Sequence, residues 1–234
     1  MPITLSTIAH SQHAANLLIF RDWGVDRVCP DIHLNRRPTR LREYARQVAS
    51  RGIEVELLAN EFCFAGRSPC CGVPRDACYA HSALGGNLDG AFDGWPFGLC
   101  RRWCAAHPAS LLRAPYILPH QLPWYTRKLG ISRFKIAGHT KSIADRLRTI
   151  KRYLAMDLEG HLADLWMEPD STVQHIPWVR RIAIRDLEST GVLERWMSEP
   201  ARDCEYDCEV GCAWCDSHWH QLTELLATRE QADE

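Results

Sequence analysis

Lysine is almost missing from this chain, with 4 residues against 24 arginines. Arginine suits bidentate anion binding, but a GC-rich genome produces the same bias, so the imbalance assigns no ligand. Net charge is nearly absent as well, −1 over 234 residues. That removes any global electrostatic case for a nucleic-acid or membrane-surface partner. No apolar run approaches the roughly 20 residues that a membrane span needs. The opening "MPITLSTIAH" has no basic start, apolar core or A-x-A site of a signal peptide. The expectation is a cytoplasmic protein with no membrane span. GxSxG, HExxH and the P-loop are absent too, so serine-hydrolase, zinc-protease and phosphate-loop chemistry have no motif here.

Cysteine is plentiful, at 11 residues. In a reducing compartment so many thiols are better explained as metal ligands than as disulfides. All but Cys29 fall into two groups. "NEFCFAGRSPCCGVPRDACYAHS", starting at Asn60, carries Cys63, Cys70, Cys71 and Cys78, and Cys100 and Cys104 follow. Vicinal thiols seldom both bind one metal, so one of Cys70 and Cys71 is expected as a ligand. The second group, "CEYDCEVGCAWC", spaces Cys204, Cys208, Cys212 and Cys215 as CxxxCxxxCxxC. Four thiolates in so short a span can converge on one zinc ion or one iron–sulfur cluster. His218 and His220 stand near enough to be alternative ligands. The bland readings are a zinc-stapled loop for the first group and four unrelated buried thiols for the second, while zinc there would make the tail a structural clip.

Around these groups the hydrophobic pattern alternates. "ITLSTIA", "VDRVCP" and "IEVELLA" read as strands. "SQHAANLLIFRDWG" and "TRLREYARQVASRG" read as helices, the first capped by Ser11 and ended at Gly24, the second with Leu41, Tyr44 and Val48 on one face. Residues 60–113 break the rhythm, as a metal-organised insertion would. It resumes with "APYIL" as a strand, "PHQLPWYTRKLG" as a helix and "SRFKIAG" as a strand. "TKSIADRLRTIKRYLAMDL" follows as an amphipathic helix with Ile143, Leu147, Ile150 and Leu154 on its apolar face. Helical patterns recur around 160–167 and 185–198, and "WHQLTELLATRE" forms the last helix. Strands alternating with helices predict βαβ units on a parallel sheet. The expected architecture is α/β, a partial TIM-like (β/α) barrel over 1–156 with a cysteine-rich insertion at 60–113. A helical extension over 157–234 carries the cysteine knot 204–215. About five strands are fewer than a barrel's eight, so a missing N-terminal segment or a partner subunit is expected to supply the rest, the alternative being a complete, smaller open α/β sheet.

Ligands in α/β folds gather at the carboxyl ends of strands. That places Asn60 and Glu61 at one candidate edge. "KIAGHTK" puts Lys135, His139 and Lys141 at another, just before a helix N-terminus suited to anions. Each alone has an ordinary reading, as a solvated lysine or a loop histidine.

Three blocks taken in order resemble the collagenase-like peptidase family U-32: "STIAH…DWGVDRV…LNR", "LLANEFC…CGVPRDACYAHS" and "GISRFKIAGHTKS". "LCRRWC" also falls where relatives carry cysteines, and the tail resembles an extension found in some members. The resemblance implies a TIM-like barrel and a [4Fe–4S] cluster on Cys63, Cys71 or Cys70, Cys78, and Cys100 or Cys104. A second cluster or zinc would sit on Cys204–Cys215. It implies an oxygen-independent hydroxylase or related transferase acting on an RNA base or small aromatic substrate. Asn60, Glu61, Arg75, Lys135 and His139 would be the catalytic residues, the last three holding an anionic donor. Gly138-His139 stands where the family has Gly-Arg, so that contact falls to a histidine, charged only when protonated. The alternatives are a peptidase of the kind the family name states, or a non-catalytic metal-stapled subunit that completes a partner's barrel.

Overall fold

A computed structural model describes residues 2–7, 21–61, 105–138, 141–165, 177–198, 201–205 and 212–232. Four strands form one parallel sheet: β1 (Ile3–Leu5), β2 (Val25–Val28), β3 (Glu54–Leu58) and β4 (Arg133–Lys135), in the order β1-β2-β3-β4. The protein is therefore α/β, as the alternating pattern predicts. In register, Arg27 lies beside Glu54, Val28 beside Val55, Glu56 beside Arg133 and Leu58 beside Lys135.

Strand side chains alternate between faces, and here the faces differ sharply. Val28, Val55 and Leu57 point toward helix α1 (Pro38–Ala49) and join its Leu41, Tyr44 and Val48 in the main core. The other face carries an ionic ladder. Arg27 reaches Glu54 at 3.2 Å and Glu56 at 3.6 Å, and Arg133 Nε meets Glu54 at 2.7 Å.

The predicted "APYIL" strand is not one. Tyr116, Ile117 and Leu118 are fully buried, and Ile117 N–H donates to the Ala59 carbonyl at 2.7 Å. The segment's carbonyls are instead taken by side chains. Arg36 bonds Ala114 at 3.1 Å, Asn35 bonds Pro115 at 2.8 Å and the Tyr153 hydroxyl bonds Ile117 at 2.9 Å. Pro115 and Pro119 bracket the run and have no N–H to give a ladder. Before it lies the single turn α2 (Ser110–Arg113), and after it a 3₁₀ turn, Pro119–Gln121, leads into α3 (Leu122–Leu129).

Helix α4 (Ile143–Ala155) runs as predicted, capped by Ser142, which accepts from Asp145 N–H at 3.1 Å. Its facing is the reverse of the expectation. Ile143, Leu147, Ile150 and Leu154 face solvent, and Thr149 and Tyr153 point inward. Hydrogen bonds decide this: the Thr149 hydroxyl bonds the Asp164 carbonyl at 2.7 Å, and Lys141 Nζ donates to Thr149 at 3.1 Å. The short helices α5 (Leu162–Leu165), α6 (Ile184–Ser189) and α7 (Glu194–Met197) follow, then α8 (Trp214–Ala232). This last helix begins before the predicted start and takes in Cys215. No described helix is long and apolar enough to cross a membrane.

Candidate functional site

Parallel strands end together, so the turns after β1, β2, β3 and β4 share one sheet edge. Thr7 follows β1, and its hydroxyl donates to the Pro30 carbonyl at 2.9 Å. Cys29, Pro30 and Asp31 follow β2, Asn60 and Glu61 follow β3, and Ala137 and Gly138 follow β4. Two buried asparagines bind these turns to one another. Asn35 donates to the Leu58 carbonyl at 2.9 Å as well as to Pro115. Asn60 donates to Ala137 at 2.9 Å and to Leu165 at 3.1 Å, and accepts from Ala137 N–H at 2.7 Å. Its amide is thus fully engaged with the chain itself. Glu61 is half-buried at the last described position before the cysteine-rich insertion.

Sequence reasoning passed over two groups at this edge. Asp31 and His33 are both buried, with His33 Nδ1 2.8 Å from Asp31 Oδ1. Asp31 also accepts from His33 N–H at 2.9 Å, which fixes the 3₁₀ turn Ile32–Arg36. A carboxylate that holds one ring nitrogen sets the tautomer and basicity of the other. The D-x-H spacing straight after a strand end, "CPDIH", was the available signal. The second group is Cys29, enclosed by Ile32, Leu58 and Ala137. Burial pushes its thiol up to about 11, with Lys135 opposing and Glu56 reinforcing the shift. Lys135 is therefore close enough to act on Cys29 while remaining exposed on the ladder face.

The far end of the same 3₁₀ turn holds the cysteine tail. Arg36, 1% exposed, lies between the rings of Tyr116 and Trp196 at 4.8 and 4.7 Å. Two aromatic faces stabilise a desolvated guanidinium where hydrogen-bond partners run short. Its Nη2 has no hydrogen-bond partner among the described residues. Cys204 N–H donates to the Arg36 carbonyl at 2.8 Å, and Arg37 Nε donates to the Cys204 carbonyl at 2.7 Å. Cys212 lies just before α8, and Arg195 Nη1 approaches its sulfur at 3.3 Å. Burial alone would raise the Cys212 thiol. The Trp214 backbone N–H, Arg195 and Arg113 outweigh it and hold the thiol below its usual range. Cys215, in the first turn of α8, is buried near enough to Tyr116 to act on its phenol.

Cys204, Cys212 and Cys215 thus belong to one end of the molecule, beside the Arg36 turn. Among the described residues, no group of three or more His, Cys, Asp and Glu side chains is placed to hold a metal ion. His218 is buried in α8, with Nδ1 2.7 Å from the Trp214 carbonyl and its ring against the Trp214 indole, and His220 is exposed. Cys208 lies outside the described residues, as do Arg75, His139, Cys63, Cys70, Cys71, Cys78, Cys100 and Cys104. A cleft of about 540 Å³ opens at the opposite end of the sheet, lined in part by Arg42, Arg46, Glu54 and Arg133, and none of the predicted site residues among those described borders it.

Comparison with protein-family models, with curated proteins and with solved structures gives no match.

Proposed function

We propose that this chain is an iron–sulfur protein of the U-32 kind, an oxygen-independent hydroxylase or related transferase acting on an RNA base or small aromatic substrate. One observation carries the reading. The turns of the three resembling blocks, far apart in sequence, meet at one sheet edge. Asn35 of "LNR" is bonded to the end of β3, and Asn60 of "NEFC" to the "KIAG" turn after β4. The cysteine-rich insertion leaves from that edge. Such an edge is where α/β proteins place their ligands.

A cluster on Cys63, Cys70 or Cys71, Cys78, and Cys100 or Cys104 would supply one-electron chemistry there. The chain's own groups have separate tasks. The Asp31–His33 pair holds or moves a proton at His33. Lys135, with Arg75 and His139, binds an anionic donor. The tail would hold a second cluster or zinc on Cys204, Cys208, Cys212 and Cys215. What supports thiolates there is the cationic setting of Cys212 and a guanidinium donor aimed at its sulfur, since hydrogen bonds to sulfur tune such sites. The sequential parallel order of the sheet is what part of a (β/α) barrel would present, with the remaining strands coming from outside this chain.

A second reading, a non-catalytic metal-stapled subunit, draws on the way the tail is tied to the body. Anaerobic purification followed by iron, sulfide and zinc analysis separates the two. About four irons and four sulfides per chain, with absorption bleached by dithionite, is the expected result, and about eight makes the tail a second cluster. A colourless zinc protein sinks the redox reading and leaves the subunit. Peptide hydrolysis that survives cluster removal would favour the peptidase instead.

A further inference from the structure

The outward face of α4 bears an apolar stripe that the fold leaves open. Ile143 is 69% exposed, Leu147 51%, Ile150 41% and Leu154 73%. Their spacing of four, three and four residues is the a/d spacing of a coiled-coil seam. With 3.6 residues per turn, the four positions fall within about 60° of arc. The stripe is too narrow for a globular core face, which spans about 100° or more.

Charge narrows the choice of occupant. Asp145 is the helix's one acid, and it is tied to Ser142 and, at 3.0 Å, to Arg148. Arg146 flanks one side of the stripe and Lys151 the other, both exposed and in no ion pair among the described residues. A second copy of this chain would set cations against cations along the seam, which is unfavourable. An anionic membrane would suit the charges, but interfacial helices present a broad apolar face with aromatic anchors. This stripe is narrow and carries no aromatic residue.

We propose that α4 docks an amphipathic helix of a partner protein, one with aliphatic residues at a/d spacing and Asp or Glu at the flanking positions. The inference stands apart from the metal chemistry. It is tested on the full chain with two fluorescein-labelled three-heptad peptides. Both carry Leu at a and d; one has Glu at e and g, the other Lys. Fluorescence anisotropy is expected to show the Glu peptide binding at least about tenfold more tightly, with affinity falling as salt rises. Leu147→Gln with Leu154→Gln lowers that affinity about tenfold or more. These residues are exposed, so the variant folds, which circular dichroism checks. Arg146→Glu with Lys151→Glu inverts the preference toward the Lys peptide. Equal binding of the two peptides, or saturable binding of neither, overturns the proposal. So does a concentration-dependent dimer lost in Leu147→Gln, or binding to phosphatidylglycerol vesicles stronger than to the Glu peptide.

Discussion

Cys29, between Val28 and Pro30, and Cys212, between Gly211 and Ala213, have no charged residue next to them in sequence, yet the fold drives them in opposite directions. Cys29 is raised from 9.0 to about 11, chiefly by burial. A group whose pKa is higher folded than unfolded contributes stability that is whole below its unfolded value. That contribution is lost as pH climbs through the folded value. The loss should fall between pH 9 and 11 and amount to about 2–3 kcal/mol. Urea unfolding across that window should show the wild type declining by this much more than Cys29→Ala. In metal-stripped protein, iodoacetamide should alkylate Cys212 well before Cys29, read by peptide mass spectrometry; the reverse order would refute both environments. Neither was legible in the sequence, because Lys135, Arg195 and Arg113 reach their thiols only through the fold. Asn60 teaches the same lesson. Its place at a strand end marked it as a site residue, and the structure adds that both its amide hydrogens and its oxygen are committed to Ala137 and Leu165. Asn60→Asp would turn a donor into a charge against two carbonyls and should cost about 2–4 kcal/mol of stability, whatever it does to activity.

Elements whose signals are local were readable. Gly130 ends α3 at φ 70°, where the predicted helix "PHQLPWYTRKLG" stops, and α4 falls inside the predicted "TKSIADRLRTIKRYLAMDL", with Ser142 as its cap. A Cβ at Gly130 would meet nothing within 4 Å. Gly130→Ala should therefore carry only the conformational penalty of the left-handed region, about 1 kcal/mol by chemical denaturation. A much larger loss would mean contacts that the fold does not have. The signals failed where tertiary bonds compete with pattern. Apolar periodicity located α4 but reversed its facing, because Thr149 and Tyr153 hold buried carbonyls that leucines could not satisfy. "APYIL" has strand composition, but its carbonyls went to Arg36, Asn35 and Tyr153.

Over the whole molecule, the tail acts on the first half of the chain. Helix α1 has no capping side chain of its own at Arg37. Asp203 supplies one, accepting from Thr39 N–H at 2.8 Å and Arg40 N–H at 3.2 Å. No reading of neighbouring residues could find a cap so distant. Asp203→Ala should lower stability by about 1–2 kcal/mol and quicken Cys204 alkylation as the tail loosens. Glu205→Gln weakens only the ion pairs of a half-exposed carboxylate with Arg40 and, at 3.6 Å, with Arg37, and should cost under about 1 kcal/mol. Equal effects from the two would mean the clasp depends on surface charge and not on the cap.

That cap also sets a clock. Thr39 and its cap are separated by 164 residues. At about 5–20 residues per second, a ribosome takes roughly 8–33 s to pass from one to the other. For that interval the start of α1 is unfinished in every newborn copy, and the ordering of its first turn waits on the late arrival of the cysteine tail.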